Sequence, residues 1–122
     1  ISRGSKRVDF VENYNNAIKI LNKNILLLNL KNKHKIINKD CFDYLNTATI
    51  NEREYNIIFI DPPYKEQKLN VLIKKIKEIK ILKKEGIIII HRHKKDDLKI
   101  SKDLKIFDIR TYGISKIILS TL

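Results

Sequence analysis

The chain has 122 residues, enough for one small domain or a piece of a larger one. Its 26 Lys and Arg against 14 Asp and Glu give a formal charge of +12, and 43% hydrophobic with 33% charged residues excludes a disordered tail. No apolar run approaches the roughly 18 residues of a membrane span, Ile1 to Val8 lacks a signal-peptide core, and the single Cys41 excludes an internal disulfide framework and a Cys-x-x-Cys zinc pair.

A reducing, cytoplasmic setting is expected. So positive a surface attracts polyanions over a Debye length of about 8–10 Å. Nucleic acid is the expected partner rather than membrane, because no basic amphipathic stretch carries aromatic anchors.

Val8, Phe10 and Val11 form a short strand-like run ending at Glu12. Tyr14, Ala17, Ile18, Leu21, Ile25 and Leu28 then recur at helical spacing, with Asn13 as the expected N-cap. A second strand reads at His34 to Asn38 and ends at Asp40. Tyr55 to Ile60 is a third, apolar enough to predict cover on both faces, and Pro62 and Pro63 stop it. Leu69, Leu72, Ile73, Ile76 and Ile79 mark a second amphipathic helix. Gly86 turns the chain into a buried strand, Ile87 to Ile90, and runs near Leu104 to Ile109 and Ser115 to Leu119 flank a turn at Tyr112-Gly113. Strand-helix units followed by an antiparallel pair predict one α/β layer structure with a mostly parallel sheet.

Ligands of open parallel sheets sit beyond the carboxyl ends of the strands. Three predicted strands end in a carboxylate: Glu12, Asp40 and Asp61. Any one of them could instead cap the next helix, since carboxylates favour helix N-termini. Asp61-Pro62-Pro63-Tyr64 is the sharpest signal. The prolines restrict the backbone, so the Asp61 carboxylate and the Pro62 carbonyl form a fixed pair of acceptors for one planar amino group. Tyr64 could stack on the ring bearing that amine. The bland alternative is a strand-terminating turn with an incidental tyrosine.

This turn resembles the Asp/Asn-Pro-Pro-aromatic signature of S-adenosylmethionine-dependent methyltransferases acting on exocyclic amines of nucleobases. Together with Ser2-Arg3-Gly4, Val8-Asp9-Phe10-Val11-Glu12, Asp40-Cys41 and Tyr112-Gly113 in that order, it is similar to the RsmD family over nearly the whole chain. Those bacterial enzymes methylate the N2 amine of a guanine in small-subunit ribosomal RNA. The resemblance implies a Rossmann-like class I methyltransferase fold, a single domain over residues 1–122, with helices on both faces of a mostly parallel sheet and a C-terminal antiparallel hairpin. It further implies that Glu12 holds the ribose hydroxyls of S-adenosylmethionine and Asp40 its adenine amine, with Cys41 and Phe42 lining the base. Asp61, Pro62, Pro63 and Tyr64 would hold the target guanine, and ribosomal RNA or the small ribosomal subunit would be the partner. For Cys41 a small buried residue is the plainer reading, and nothing points to a nucleophilic thiol.

Gly occurs only at 4, 86 and 113, so there is no Gly-x-Gly-x-x-Gly. The family's first strand and Gly-rich cofactor loop are therefore expected to be missing from this chain. That strand would stand between those ending at Glu12 and Asp61. The chain reads as the C-terminal portion of the family fold, expected to bind the cofactor weakly or not at all by itself. A DNA adenine or cytosine amino methyltransferase, or an inactive RNA-binding relic, are the competing readings. His91-Arg92-His93 follows the Ile87 to Ile90 run; it could meet RNA phosphate or be a solvated loop, and no metal site is expected from it. Lys94, Lys95 and the Lys74 to Lys84 cluster read as solvated faces, and Tyr112 as a turn residue without a catalytic role.

Overall fold

A computed structural model describes residues 3–30, 33–47, 54–63, 68–96 and 99–122. The chain separates into two compact units, Ile1–Thr47 and Ala48–Leu122. The first holds β1 (Val8–Glu12), α1 (Asn15–Leu27), β2 (His34–Asn38) and α2 (Cys41–Thr47). β1 and β2 pair in parallel, from Val8 opposite His34 to Glu12 opposite Asn38. α1 is the crossover that a parallel pair requires, and Ile25 and Leu45 are buried.

Two local details depart from expectation. Asn13 is not the cap of α1: Tyr14 holds that position without a side-chain cap bond. The Glu12 carboxylate, reaching forward from the strand end, instead accepts the amide protons of Asn13 and Tyr14 at 2.8 Å each. A charged acceptor competes well there, because bonds to ionised groups are stronger and negative charge is favoured at a helix N-terminus. The second departure is α2, which no periodicity announced, since seven residues with Leu45 as the buried one give too short a pattern. It starts because Asp40 Oδ1 accepts the Phe42 amide proton at 2.7 Å.

The second unit holds β3 (Tyr55–Ile60), α3 (Leu69–Glu78), β4 (Leu82–His93), β5 (Lys105–Tyr112) and β6 (Ser115–Thr121). Its strands lie in the order β3-β4-β6-β5. β3 and β4 are parallel, while β6 is antiparallel to both β4 and β5. With β1 and β2, the described residues form two parallel and two antiparallel pairings, a mixed α/β arrangement in keeping with the expected Rossmann-like fold. The terminal hairpin contributes as many ladders as the strand-helix units do.

Register sets the core of this unit. Ile60, Ile90 and Ile118 lie side by side, as do Ile58, Ile88 and Ser120. Ile88, Ile90, Ile118 and Ser120 are at most 2% exposed, and so are Leu69, Ile73 and Ile76 of α3. Each such aliphatic side chain contributes about 1.5–3 kcal/mol by leaving water. The Ser120 hydroxyl avoids the cost of an unpaired buried group by donating to the Ile88 carbonyl at 3.2 Å. Asn70 fastens α3 to the segment before β5, donating to the Lys99 carbonyl and accepting the Ser101 amide proton, both at 2.8 Å. Lys77 adds a 2.7 Å ion pair to Asp103, and that bond, with one from Ser101, holds the Asp103 carboxyl below its usual range.

Cover on both faces of β3 is not what the structure shows. Strand alternation turns Ile58 and Ile60 inward, while Ile57 and Phe59 are 57% and 59% exposed. α3 is the one helix of this unit among the described residues, and a single helix layer covers a single face.

β4 also exceeds its predicted span. It runs for 12 residues, and between Tyr55–Leu82 and Ile57–Ile87 the four residues Lys83 to Gly86 stand opposite Asn56 alone. The left-handed backbone of this bulge falls on Glu85, with φ of 65°, rather than on Gly86. Gly86 is required for another reason. A Cβ there would stand 2.7 Å from Leu82 Cγ and 2.8 Å from the Lys83 carbonyl oxygen. Gly86→Ala is therefore expected to destabilise the protein by about 1–3 kcal/mol, the usual cost of overpacking, measured as a lower urea midpoint with unchanged slope. In the hairpin the glycine does serve the turn: Gly113, with φ of 58°, begins a two-residue loop between paired Tyr112 and Ser115.

Candidate active site

In the first unit, the β1–β2 register brings two of the predicted carboxylates to one end. Glu12 is the last residue of β1, opposite Asn38, and Asp40 follows two residues later. Each has one oxygen engaged with the amides that open the next helix. The plain capping role is thus realised at both positions, and the second carboxylate oxygen of each makes no hydrogen bond among the described residues. Cys41 and Phe42 are the first residues of α2, both half-buried. Two part-exposed carboxylates at adjacent strand ends, each held in a fixed orientation with a free acceptor, suit hydroxyl and amine donors of a ligand.

In the second unit, β3 ends at Ile60, paired with Ile90, and the chain leaves the sheet through Asp61-Pro62-Pro63. One step beyond that last pair, Asp61 and His91 stand abreast. His91 Nδ1 lies 2.8 Å from Asp61 Oδ1; the Asp61 side chain is 56% exposed and the His91 side chain 20%. The Pro62 carbonyl makes no hydrogen bond among the described residues. The Pro63 carbonyl accepts from Arg92 Nη1 at 3.4 Å. Arg92, 3% exposed, is paired through Nε with the Asp96 carboxylate, and Lys116 Nζ donates to the Asp96 backbone carbonyl at 2.8 Å. Tyr64 lies outside the described residues, so its stacking role stays an expectation.

The predicted residues therefore group as Glu12, Asp40, Cys41 and Phe42 in one unit and Asp61, Pro62 and Pro63 in the other. Sequence reasoning noted His91 and Arg92 but gave them no part in holding the turn. It placed them after a strand, in contact with phosphate or solvent, whereas they lie within β4 and hold the turn. The available signal was the position of His91-Arg92 directly after the apolar run that pairs with Tyr55–Ile60. Adjacent residues of a strand project to opposite faces, so one engages the carboxylate and the next the proline carbonyl.

Comparison with known proteins bears on the fold and the family. The chain is 32% identical over 116 residues to a Bacillus subtilis protein named "Putative rRNA methyltransferase YlbH", covering 94% of this chain and 63% of that one. A Haemophilus influenzae structure titled "putative methylase HI0767" superposes with a TM-score of 0.79 at 25% identity, covering 98% of this chain and 74% of that one. SMU.776, titled "a putative methyltransferase complexed with SAH", has the same fold, with a TM-score of 0.73 at 18% identity over 94% of this chain and 39% of its own. The chain thus spans less than two thirds of the length of the Bacillus relative. The family model described as "Conserved hypothetical protein 95" matches residues 1–121. By that match the chain belongs to the Conserved hypothetical protein 95 family, the RsmD-like group that its motifs resemble.

Proposed function

We propose that the protein methylates the exocyclic N2 amine of a guanine in small-subunit ribosomal RNA, with S-adenosylmethionine as methyl donor, in the cytoplasm. The observation that carries this reading is the Asp61-Pro62-Pro63 turn. It leaves β3 at the carboxyl end of the sheet with an exposed carboxylate and a Pro62 carbonyl that makes no hydrogen bond among the described residues. The name of the Bacillus relative supports an RNA substrate, and the SAH of SMU.776 supports the cofactor.

The residues present fit that cofactor. Glu12 offers a free carboxylate oxygen for ribose hydroxyls and Asp40 one for the adenine amine, with Cys41 and Phe42 beside the base. When bound, the cofactor supplies an electrophilic sulfonium methyl. The chain's part is placement. An exocyclic nitrogen is a poor nucleophile because its lone pair is delocalised into the ring. Asp61 and the Pro62 carbonyl accept its two N–H bonds, favour its pyramidal form and direct the lone pair for in-line attack. Near-attack geometry and preorganised acceptors supply the rate. The nitrogen, once cationic, releases its proton to solvent water, so Asp61 serves as a hydrogen-bond acceptor throughout. The base enters unpaired or extruded, at a cost of about a few kcal/mol.

The test is methyl incorporation from tritiated cofactor into small subunits or RNA lacking the modification, followed by nucleoside analysis. N2-methylguanosine is the expected product. Label in DNA alone would favour the DNA amino methyltransferase, and label in no substrate the inactive RNA-binding relic.

A further inference from the structure

We infer that His91 is a positioning residue for Asp61: its Nδ1–H takes one carboxylate oxygen and leaves the other as the acceptor for the substrate amine. The inference rests on the proposed function, in that it says which atom of Asp61 faces the substrate.

An exposed carboxylate on a turn would ordinarily rotate about its side-chain torsions and present either oxygen in many directions. Here Oδ1 lies 2.8 Å from His91 Nδ1, and His91 stands on β4, a strand paired on both sides by β3 and β6. An ionised carboxylate has no proton to give. The imidazole nitrogen facing it must carry one, which selects the Nδ1–H tautomer of neutral histidine or the imidazolium. The next residue, Arg92, holds the Pro63 carbonyl. Consecutive β4 residues therefore grip the turn at its first and third positions, with the open Pro62 carbonyl between them. Asp61 Oδ2 and that carbonyl, neither of which has a hydrogen bond among the described residues, are the two acceptors offered to a ligand. Arg92 is needed for the fold as well, so the inference is tested on the less buried His91.

Two measurements decide it. The first is the 15N spectrum of the histidine side chains in the cofactor-free protein. His91 is expected to be protonated at Nδ1 at neutral pH, and Asp61→Ala to shift it toward the Nε2–H tautomer that a free histidine side chain prefers. An Nε2–H tautomer in the wild type, or no response to Asp61→Ala, overturns the contact. This reading needs neither substrate nor activity, so it stands apart from failure of the proposed function, which would appear as absence of methyl transfer by the wild type. The second compares His91→Phe, which keeps a ring but loses the donor, with His91→Asn, whose amide nitrogen lies near the position of Nδ1. His91→Phe is expected to lower kcat by about 10- to 100-fold, the cost of a misplaced reacting group, with cofactor Kd unchanged. His91→Asn is expected to stay within a few-fold of wild type. Wild-type kcat in His91→Phe, or equal losses in both variants, overturns positioning by hydrogen bonding.

Discussion

Asp61→Ala is expected to lower the rate of methyl incorporation by about 100- to 1000-fold, the usual loss when one preorganised hydrogen-bonding group is removed from a reacting centre. The variant should remain folded. The Asp61 side chain is 56% exposed and follows the last pair of the β3–β4 ladder, and surface changes of this kind cost within about 0.5 kcal/mol. Cofactor affinity should be unchanged, because Glu12 and Asp40 are the residues assigned to it. Asp61→Asn should fall between the two. Its amide oxygen can still accept from the substrate, but its amino group then requires His91 to present a lone pair. Initial rates at saturating cofactor, with thermal unfolding of each variant, check all three statements. Equal incorporation by wild type and Asp61→Ala would remove Asp61 from the mechanism.

The largest expected effect on stability lies nearby. Arg92→Met should destabilise the protein by about 3–5 kcal/mol, the cost of breaking a buried ion pair and leaving one charge uncompensated. Arg92 is 3% exposed and the Asp96 side chain 12%, so the carboxylate that loses the guanidinium would have little access to water. Such a loss is a large share of the roughly 5–15 kcal/mol by which folded domains are stable. The Arg92→Met/Asp96→Asn double variant should recover more than half of it, since no unpaired charge then remains. Arg92→Lys keeps the charge yet lacks the forked guanidinium that reaches Asp96 and the Pro63 carbonyl together, so it should restore stability more than activity. Urea titrations of the four proteins measure these differences. A cost below about 1 kcal/mol for Arg92→Met would mean that the pair contributes no more than a surface salt bridge.

The strands and long helices were legible because each is set by near neighbours. Val8 to Glu12, His34 to Asn38 and Tyr55 to Ile60 are runs of strand-forming residues ended by polar ones, and β1, β2 and β3 occupy those spans. α3 follows the stripe of Leu69, Leu72, Ile73 and Ile76. Glu12, Asp40 and Asp61 were legible as strand-end carboxylates for the same reason. Where expectation failed, a more distant or less periodic influence prevailed. Glu12 displaced Asn13 as the acceptor at the start of α1, Asp40 nucleated a helix too short to show a period, and the crowding of Leu82 against Gly86 fixed the glycine inside a bulge.

By itself, then, the order of residues determined where strands and helices lie, which carboxylates stand at strand ends, and that a rigid acidic turn follows the third strand. Local conformation depends on side-chain sterics and hydrogen bonds within a few residues, and those are written in adjacent letters. Only the tertiary structure decided what meets that turn. His91 is 30 residues from Asp61 in sequence, and Arg92 is 29 from Pro63. They come together through the β3–β4 register and its bulge at Lys83 to Gly86, long-range pairing that no local pattern records.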